Sequence, residues 1–408
     1  DLGVNFSWRN GLFYARDIQA SAKRGELSAM LWAGPGDYRL HAYTTIPPSD
    51  LADLFDKNTR AFLVNMEFED LPQISASLRG ARLDFPSISG NAHLKLGRTA
   101  NRGSWIDSGV ADVVIAEECL TYKNLIINTG KGRGTGSFDY DVGRKEVRLK
   151  DIVSTLVPVD VLMWIDPRIA ETIRPYRFRS APQVKVQGKV HMKDPLKNDL
   201  KINISAPGGM SYELLGKTLP FGNTNAKVDV IANKVVANIN EAELFGGDVG
   251  VKAIVSLDPT NRVFSTNATL SRVNFAKLTN LYFDYDDSKG VISGEYGFEA
   301  RMGDEENMVG RGNLRIEDGN VFAIPVFGPF SAILGSIIPG VVYNTARLAT
   351  ADFTVANKKV STPNIEIAGT GFSMLGYGDI YFLNGGLDMS MRINAQGIPG
   401  FVFFPVSK

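Results

Sequence analysis

Apolar and polar side chains take turns along most of this chain. From Gln183 to Lys193, Val184, Val186, Gly188, Val190 and Met192 alternate with Lys185, Gln187, Lys189 and His191. From Asp199 to Ala206, Leu200, Ile202, Ile204 and Ala206 alternate with Lys201, Asn203 and Ser205. Val249, Val251, Ala253, Val255 and Leu257 repeat the pattern, and so do Leu387, Met389, Met391 and Ile393. Successive strand side chains point to opposite faces, so each run predicts a strand with one apolar and one polar side. Continuous apolar strands of the parallel α/β kind are scarce. Gly208-Gly209, Gly246-Gly247-Asp248, Asp258-Pro259-Thr260-Asn261 and Asn384-Gly385-Gly386 are turn signals between runs. The spacing predicts roughly 20–25 short antiparallel strands.

Four short helical patches interrupt the strands. Pro48–Lys57 has Ser49 or Asp50 as a cap and a stripe of Leu51, Leu54 and Phe55. Val159–Ile173 is similar but broken by Pro167, Val273–Phe283 is the third, and Ser331–Leu348 is the fourth, broken at Pro339-Gly340. The first three, PSDLADLF, PVDVLMWI and RVNFAKLTNLYF, each precede an alternating strand with a central glycine: SISGNAHL, KVQGKVHM and VISGEYGF. Their spacing of about 100–115 residues suggests an internal repeat of a few strands plus a short helix. Residues 1–300 are accordingly divided into approximate repeats 1–150, 151–270 and 271–300, the last joining a C-terminal region, 301–408.

A half-apolar sheet this wide does not stay flat and open in water. It closes into a barrel, packs as sandwiches, or curls into a trough with an apolar inner side. At about 4.8 Å per strand the trough would be on the order of 100 Å long. The expected fold is mainly β: a long, twisted, curled antiparallel sheet with a few short helices. A trough lined by Val, Ile, Leu, Phe and Met suits acyl chains, with polar heads left at its open margin.

Composition narrows the partners. Apolar residues make up 44% of the 408, enough for a core, and charged residues 22%. Lys+Arg and Asp+Glu are equal at 44 each, which removes the basic footprint of a nucleic-acid binder. The single cysteine, Cys119, rules out an intramolecular disulfide and a cysteine zinc site. It lies in the run VVIAEECLTY and is read as a packed side chain. His41, His93 and His191 share no ligand spacing, so no metal or other cofactor is expected. The chain begins at Asp1 without methionine and stops after an apolar run, so it is read as a piece of a longer protein whose anchor lies outside it.

Several constellations resolve into ordinary structure. Gly130, Gly132, Gly134 and Gly136 lack the phosphate-loop spacing and precede a strand, which predicts a hairpin. Asp284, Asp286, Ser288 and Glu295 echo a calcium loop, but Gly290 falls one place late and a strand follows. Glu117-Glu118 and Glu305-Glu306 are adjacent carboxylates that point to opposite sides of a strand and read as solvated loops. No nucleophile elbow and no zinc-protease motif occurs, so no enzyme is expected.

Gly319–Ala346 is long, apolar and free of charge. Pro325, Pro329 and Pro339, with Gly328, Gly335 and Gly340, argue against one continuous spanning helix. It is expected to tuck into the groove end or dip into a membrane interface. Val326, Phe327, Phe330, Ile333, Leu334, Ile337, Ile338 and Val342 are its candidate gate or membrane residues.

From this segment onward the sequence resembles the AsmA-like family, which includes the TamB-like and bridge-type bacterial proteins. The resemblance is carried by GRGNLRIEDGNVFAIPVFGPFSAILGSIIPG, then ADFTV, IEIAGTGFSMLGYGDIYF, LDMSMRINA and PGFVFFPVSK. Upstream, only the style of strand, glycine and short helix agrees. The resemblance implies a periplasmic, repeating β-groove, anchored in the inner membrane, that moves phospholipid toward the outer membrane in envelope homeostasis. It implies no catalytic residue. The partners so implied are phospholipid or another acyl lipid, the membrane and envelope proteins, with no nucleic acid.

The candidate lipid-facing residues are the alternating apolar positions Val184, Val186, Val190, Leu200, Ile202, Ile204, Val251, Val255, Ile365, Ile367, Phe372, Met374, Leu387, Met389, Met391 and Ile393. The alternative is a non-catalytic envelope scaffold whose apolar faces close on themselves. A third reading, a carbohydrate-active enzyme, needs opposed carboxylates beside exposed aromatics. Trp8, Trp32, Trp105 and Trp164 are too dispersed to support it.

Overall fold

The structure, a computed structural model, describes residues 2–55, 57–82, 85–214, 216–258, 260, 262–285, 288–321, 346–381, 386–395 and 402–407, with the backbone alone for 58, 305, 395 and 402–407. The chain is mainly β, antiparallel and not closed, with few short helices. By packing it divides into two units, Asp1–Ala206 and Pro207–Lys408. The boundaries expected at 150, 270 and 300 concern a repeat in the sequence, a different property.

The first unit contains β1 (Leu2–Arg9), β2 (Leu12–Ser21), β3 (Glu26–Gly34), β4 (Asp37–Thr44), α1 (Lys57–Leu63), β5 (Met66–Phe68), β6 (Gln73–Gly80), β7 (Ile88–Leu96), β8 (Thr99–Asn101), β9 (Ser104–Ile106), β10 (Ser108–Ala116), β11 (Cys119–Thr129), β12 (Gly132–Asp141), β13 (Glu146–Ser154), α2 (Pro158–Ile165), α3 (Pro167–Ile173), β14 (Tyr176–Phe178), β15 (Gln183–His191) and β16 (Asp199–Ala206). Its main sheet runs β1-β2-β3-β4-β6-β7-β10-β11-β12-β13-β15-β16, every neighbour antiparallel. Strands β5, β8 and β9 form a separate small sheet.

Registers place the three long connections on one margin. Thr44 pairs with Ile74, Leu96 with Gly109, and Ser154 with Val184, so residues 45–72, 97–107 and 155–182 all leave and return at the same end of the strands. Hydrogen bonds tie them together. Arg102 Nη1 donates to the carbonyls of Met163 (3.1 Å) and Trp164 (3.3 Å), Trp164 Nε1 donates to Ser104 O (2.9 Å), and Asn101 Nδ2 donates to Phe62 O (3.2 Å). The opposite margin has tight turns such as Asn10-Gly11 and Glu117-Glu118, where both glutamates adopt positive φ (50° and 60°).

Local rules explain the helices. The first detour opens as a 3-10 turn, Pro48–Leu54, with Pro48 at its first position and no side-chain cap, where the sequence suggested Ser49 or Asp50. Proline's fixed φ and missing N–H suit that place. The patch 159–173 does break at Pro167, into α2 and α3, and Asp166 caps α3 by accepting from Arg168 N.

The second unit is a meander in chain order: β17 (Met210–Leu214), β18 (Lys217–Ile231), β19 (Lys234–Leu244), β20 (Gly247–Ser256), β21 (Val263–Asn274), α4 (Phe275–Phe283), β22 (Val291–Arg301), β23 (Asp304–Gly319), β24 (Ala346–Ala356), β25 (Lys359–Gly369), β26 (Phe372–Tyr381), β27 (Gly386–Ala395) and β28 (Val402–Ser407). Asn274 caps α4 through Lys277 N (2.9 Å). The segment 322–345, with all eight candidate gate residues, lies outside the described residues. Ala346–Leu348, expected as a helix end, are strand, because Ala346 and Leu348 pair with Gly369 and Ala368. Glu306, expected in a loop, lies in β23 and holds Lys358 Nζ at 2.9 Å.

Bulges bend the strands. The register slips beside Asp17, Asn124, Asp151 and Arg272, and each of these has φ between 50° and 53°. Two residues then oppose one, which turns the strand and sharpens its twist. Glycine does the rest where backbones crowd. At Gly90 (φ 152°) and Gly188 (φ 123°) an added Cβ would strike the carbonyl oxygens of Ser77 and Asp199 across the ladder.

Candidate functional site

In the first unit the apolar side chains stand in rows that cross the strands. One row is Leu31, Leu40, Leu78, Gly90, Ile115, Leu120, Tyr140, Val147 and Val190, each the direct partner of the next. The next is Ala29, Ala42, Ala76, Ala92, Val113, Tyr122, Phe138, Leu149, Gly188 and Leu200. A third begins Leu27, Thr44, Ile74 and Leu94, and beyond the bulges Ile152, Val186 and Ile202 continue it. Across β3, β4, β6 and β7 the middle row is all alanine between leucine-rich neighbours. That makes a shallow lane perpendicular to the strands. At β11 and β12 the lane meets Tyr122 stacked on Phe138, with centroids 4.3 Å apart and planes at 12°. Burial raises the Tyr122 phenol above its usual pKa.

The burial of these rows is informative. Val184, Val186, Val190, Leu200, Ile202 and Ile204 are all half-buried. A side chain flanked by lateral neighbours but not roofed is covered at its sides only. The fully buried residues of this unit include alanines, Tyr38, Val113 of the middle row, and members of the marginal detours such as Ile46, Leu63, Phe68 and Ile106. Neither large buried apolar cluster includes a residue of the first unit.

The second unit differs. Ile365, Ile367, Phe372, Met374, Met389, Met391 and Ile393 are each 5% exposed or less and form one cluster with Phe275, Ile316, Val321, Ala346 and Ala349. Leu387 packs against that cluster. Side chains fill the glycine hollows: Met391 lies over Gly376 and the Phe372 ring over Gly369. A second cluster joins Leu219, Ala242, Leu244, Val249 and Val273 to Leu278, Leu281 and Tyr282 of α4, with Val251 at its edge. Val255 is half-buried. Tyr296 packs beside Phe353, centroids 5.8 Å apart, and burial pushes its pKa up to about 12.

The chemistry-bearing residues do not assemble into a reaction centre on the apolar rows. Among the described residues no group of three or more His, Cys, Asp and Glu is placed to hold a metal ion, and no helix is long and apolar enough to cross a membrane. Gly130–Gly132 is a hairpin turn, and Cys119 is half-buried at the start of β11. Sequence reasoning missed the polar side of β4, β6, β7 and β10, where His41 and His93 come onto one surface although 52 positions separate them. Their strand parity carried that signal; the pairing order did not show in the sequence. No protein-family model, curated protein or solved structure matches the chain.

Proposed function

We propose that the apolar rows of the first unit are a conduit for acyl chains, and that the protein is a non-catalytic phospholipid-transfer element of the periplasm. Inner-membrane anchoring and delivery toward the outer membrane are part of this reading and come from the resemblance to AsmA-like proteins. The observation that carries it is the half-burial of Val184, Val186, Val190, Leu200, Ile202 and Ile204 in cross-strand rows. Taking such a side chain from exposed to fully buried is worth about 1.5–3 kcal/mol, and only the part still uncovered here remains to draw an apolar guest. Each guest methylene adds about 0.8 kcal/mol. A linear acyl chain matches a lane one methyl deep better than a globular ligand does. No chemical step is involved, and the charged head group stays in water.

The test is extraction and mass spectrometry of lipid from purified protein, with photocrosslinking probes at Ile202 and Val251. Copurified phospholipid and adducts at Ile202 are expected. Protein free of lipid and of adducts would reject the conduit. One observation favours a scaffold: the sealed cluster around Met374 and Met391 leaves no surface for a guest there. A scaffold predicts no lipid at any probe.

A further inference from the structure

The polar side of the first unit holds the second feature of interest. Ser28, Met30, His41, Tyr43, Ser75, Ser77, Asn91, His93 and Asp112 stand on it and line an open concavity of about 660 Å3. Two cross-strand lines build it: Met30, His41, Ser77 and Asn91, and Ser28, Tyr43, Ser75, His93 and Asp112.

Both imidazoles are fixed through the same nitrogen. His93 Nδ1 donates to Asp112 Oδ1 at 2.7 Å, and Asn124 Nδ2 donates to the other oxygen, Oδ2, at 2.8 Å. These two bonds, Asn124 first, hold the Asp112 carboxyl below its usual pKa. His41 Nδ1 lies 2.9 Å from Ser77 Oγ. Each ring therefore leaves Nε2 for something else. Ser28 Oγ accepts from Gln19 Nε2 at 3.2 Å and keeps its own proton to donate. Among the described residues the side chains of Ser75 and Asn91 bond to no protein group.

We propose that this concavity is a binding site for a neutral, hydroxyl-rich ligand, a saccharide. Hydroxyls and a carboxamide both donate and accept, and each imidazole Nε2 does one or the other according to its tautomer, which suits vicinal hydroxyls that do both. The lining contains Asp17 and Asp112 but neither lysine nor arginine, so a phosphate or carboxylate finds no counter-charge. Met30 (54% exposed) and Tyr43 (45%) supply apolar surface for the C–H face of a sugar ring. The volume lies within the usual range for small-ligand sites. Among the described residues no group of three or more His, Cys, Asp and Glu, these two histidines included, is placed to hold a metal ion. This inference does not rest on the lipid reading, because it concerns the other face of the sheet.

The experiment is a titration of the whole protein followed by imidazole and amide resonances. The probes are N,N′-diacetylchitobiose and maltose, with inorganic phosphate and zinc in parallel. The expected result is saturable, millimolar binding of at least one disaccharide that moves the His41, His93 and Asn91 signals. Asn91→Ala and Ser75→Ala should each weaken it by up to about tenfold, the loss of one hydrogen bond. Thermal melts of both variants, which change exposed side chains, check that the fold is kept. No movement with either sugar overturns the proposal, as does movement with phosphate or zinc alone. So does sugar binding that both variants leave unchanged.

Discussion

Strands β15–β16 and strands β25–β27 share one sequence pattern and end in two environments. In both, apolar and polar residues alternate over most of the run, as in Val184–Val190 and Leu387–Ile393. Ile202 and Val186 remain half-buried in an unroofed row, whereas Met374 and Met391 are 1% exposed or less within a cluster. Alternation decides which side of a strand is apolar. Whether that side is covered depends on the bulk of the row and on what glycine leaves room for. The rows of the first unit mix alanine, valine, leucine and isoleucine, and the two glycines within them, Gly90 and Gly188, face backbone. The second uses methionine, isoleucine and phenylalanine, which lie over glycine hollows and fill them.

The sharpest way to break this contrast is crosslinking. A photoreactive residue at Ile202 or Val186 should give lipid adducts, and one at Met374 or Met391 should give none. Adducts of equal yield at all four would erase the distinction. The next largest effect is on stability. Met391→Ala removes a fully buried side chain and should cost about 3 kcal/mol, while Ile202→Ala should cost roughly 1 kcal/mol because its top is already uncovered. Urea unfolding midpoints compare the two, and similar losses would show that the first unit is also sealed.

Alkaline pH separates the regions more gently. The unfolded Tyr296 phenol ionises at its ordinary value of 10.0, whereas the folded one holds its proton to about 12. The unfolded state then binds fewer protons than the folded state, so stability falls as pH rises from 10 to 12. The loss is on the order of 2 kcal/mol. Tyr296→Phe should flatten that slope and remove the latest step of the phenolate absorbance titration. The smallest expected effect is on lipid occupancy: Ala76→Phe raises the floor of the alanine lane and should lower occupancy severalfold with little change in melting temperature. Unaltered occupancy would place the acyl chain elsewhere.

Much of the fold is legible in the sequence because period two is a local signal. Val184 to Val190 and Leu200 to Ala206 take up the strands and faces their alternation indicates. The break at Pro167 is legible for the same reason, since one residue's chemistry settles it. The bulges are not. Asp17, Asn124, Asp151 and Arg272 sit at positive φ without being glycine; Asp and Asn tolerate that conformation, but which of the chain's many Asp and Asn adopt it is set by the long-range ladder. Of the candidate site, the apolar face was visible but its roof was not. Half-burial against full burial is set by partners distant in sequence, such as Phe275 and Ile316, which share one buried cluster with Ile367 and Met391. The histidine surface was hidden similarly. His41 and His93 come to line one surface only through the pairing of β4 with β6 and of β6 with β7.

The detours of the first unit begin and end on adjacent antiparallel strands along a single border. No rung of the ladder between β4 and β6 or between β13 and β15 uses a residue of 45–72 or 155–182. That border is therefore free to vary as one tied assembly, while the middle apolar row keeps its phase from β3 to β16.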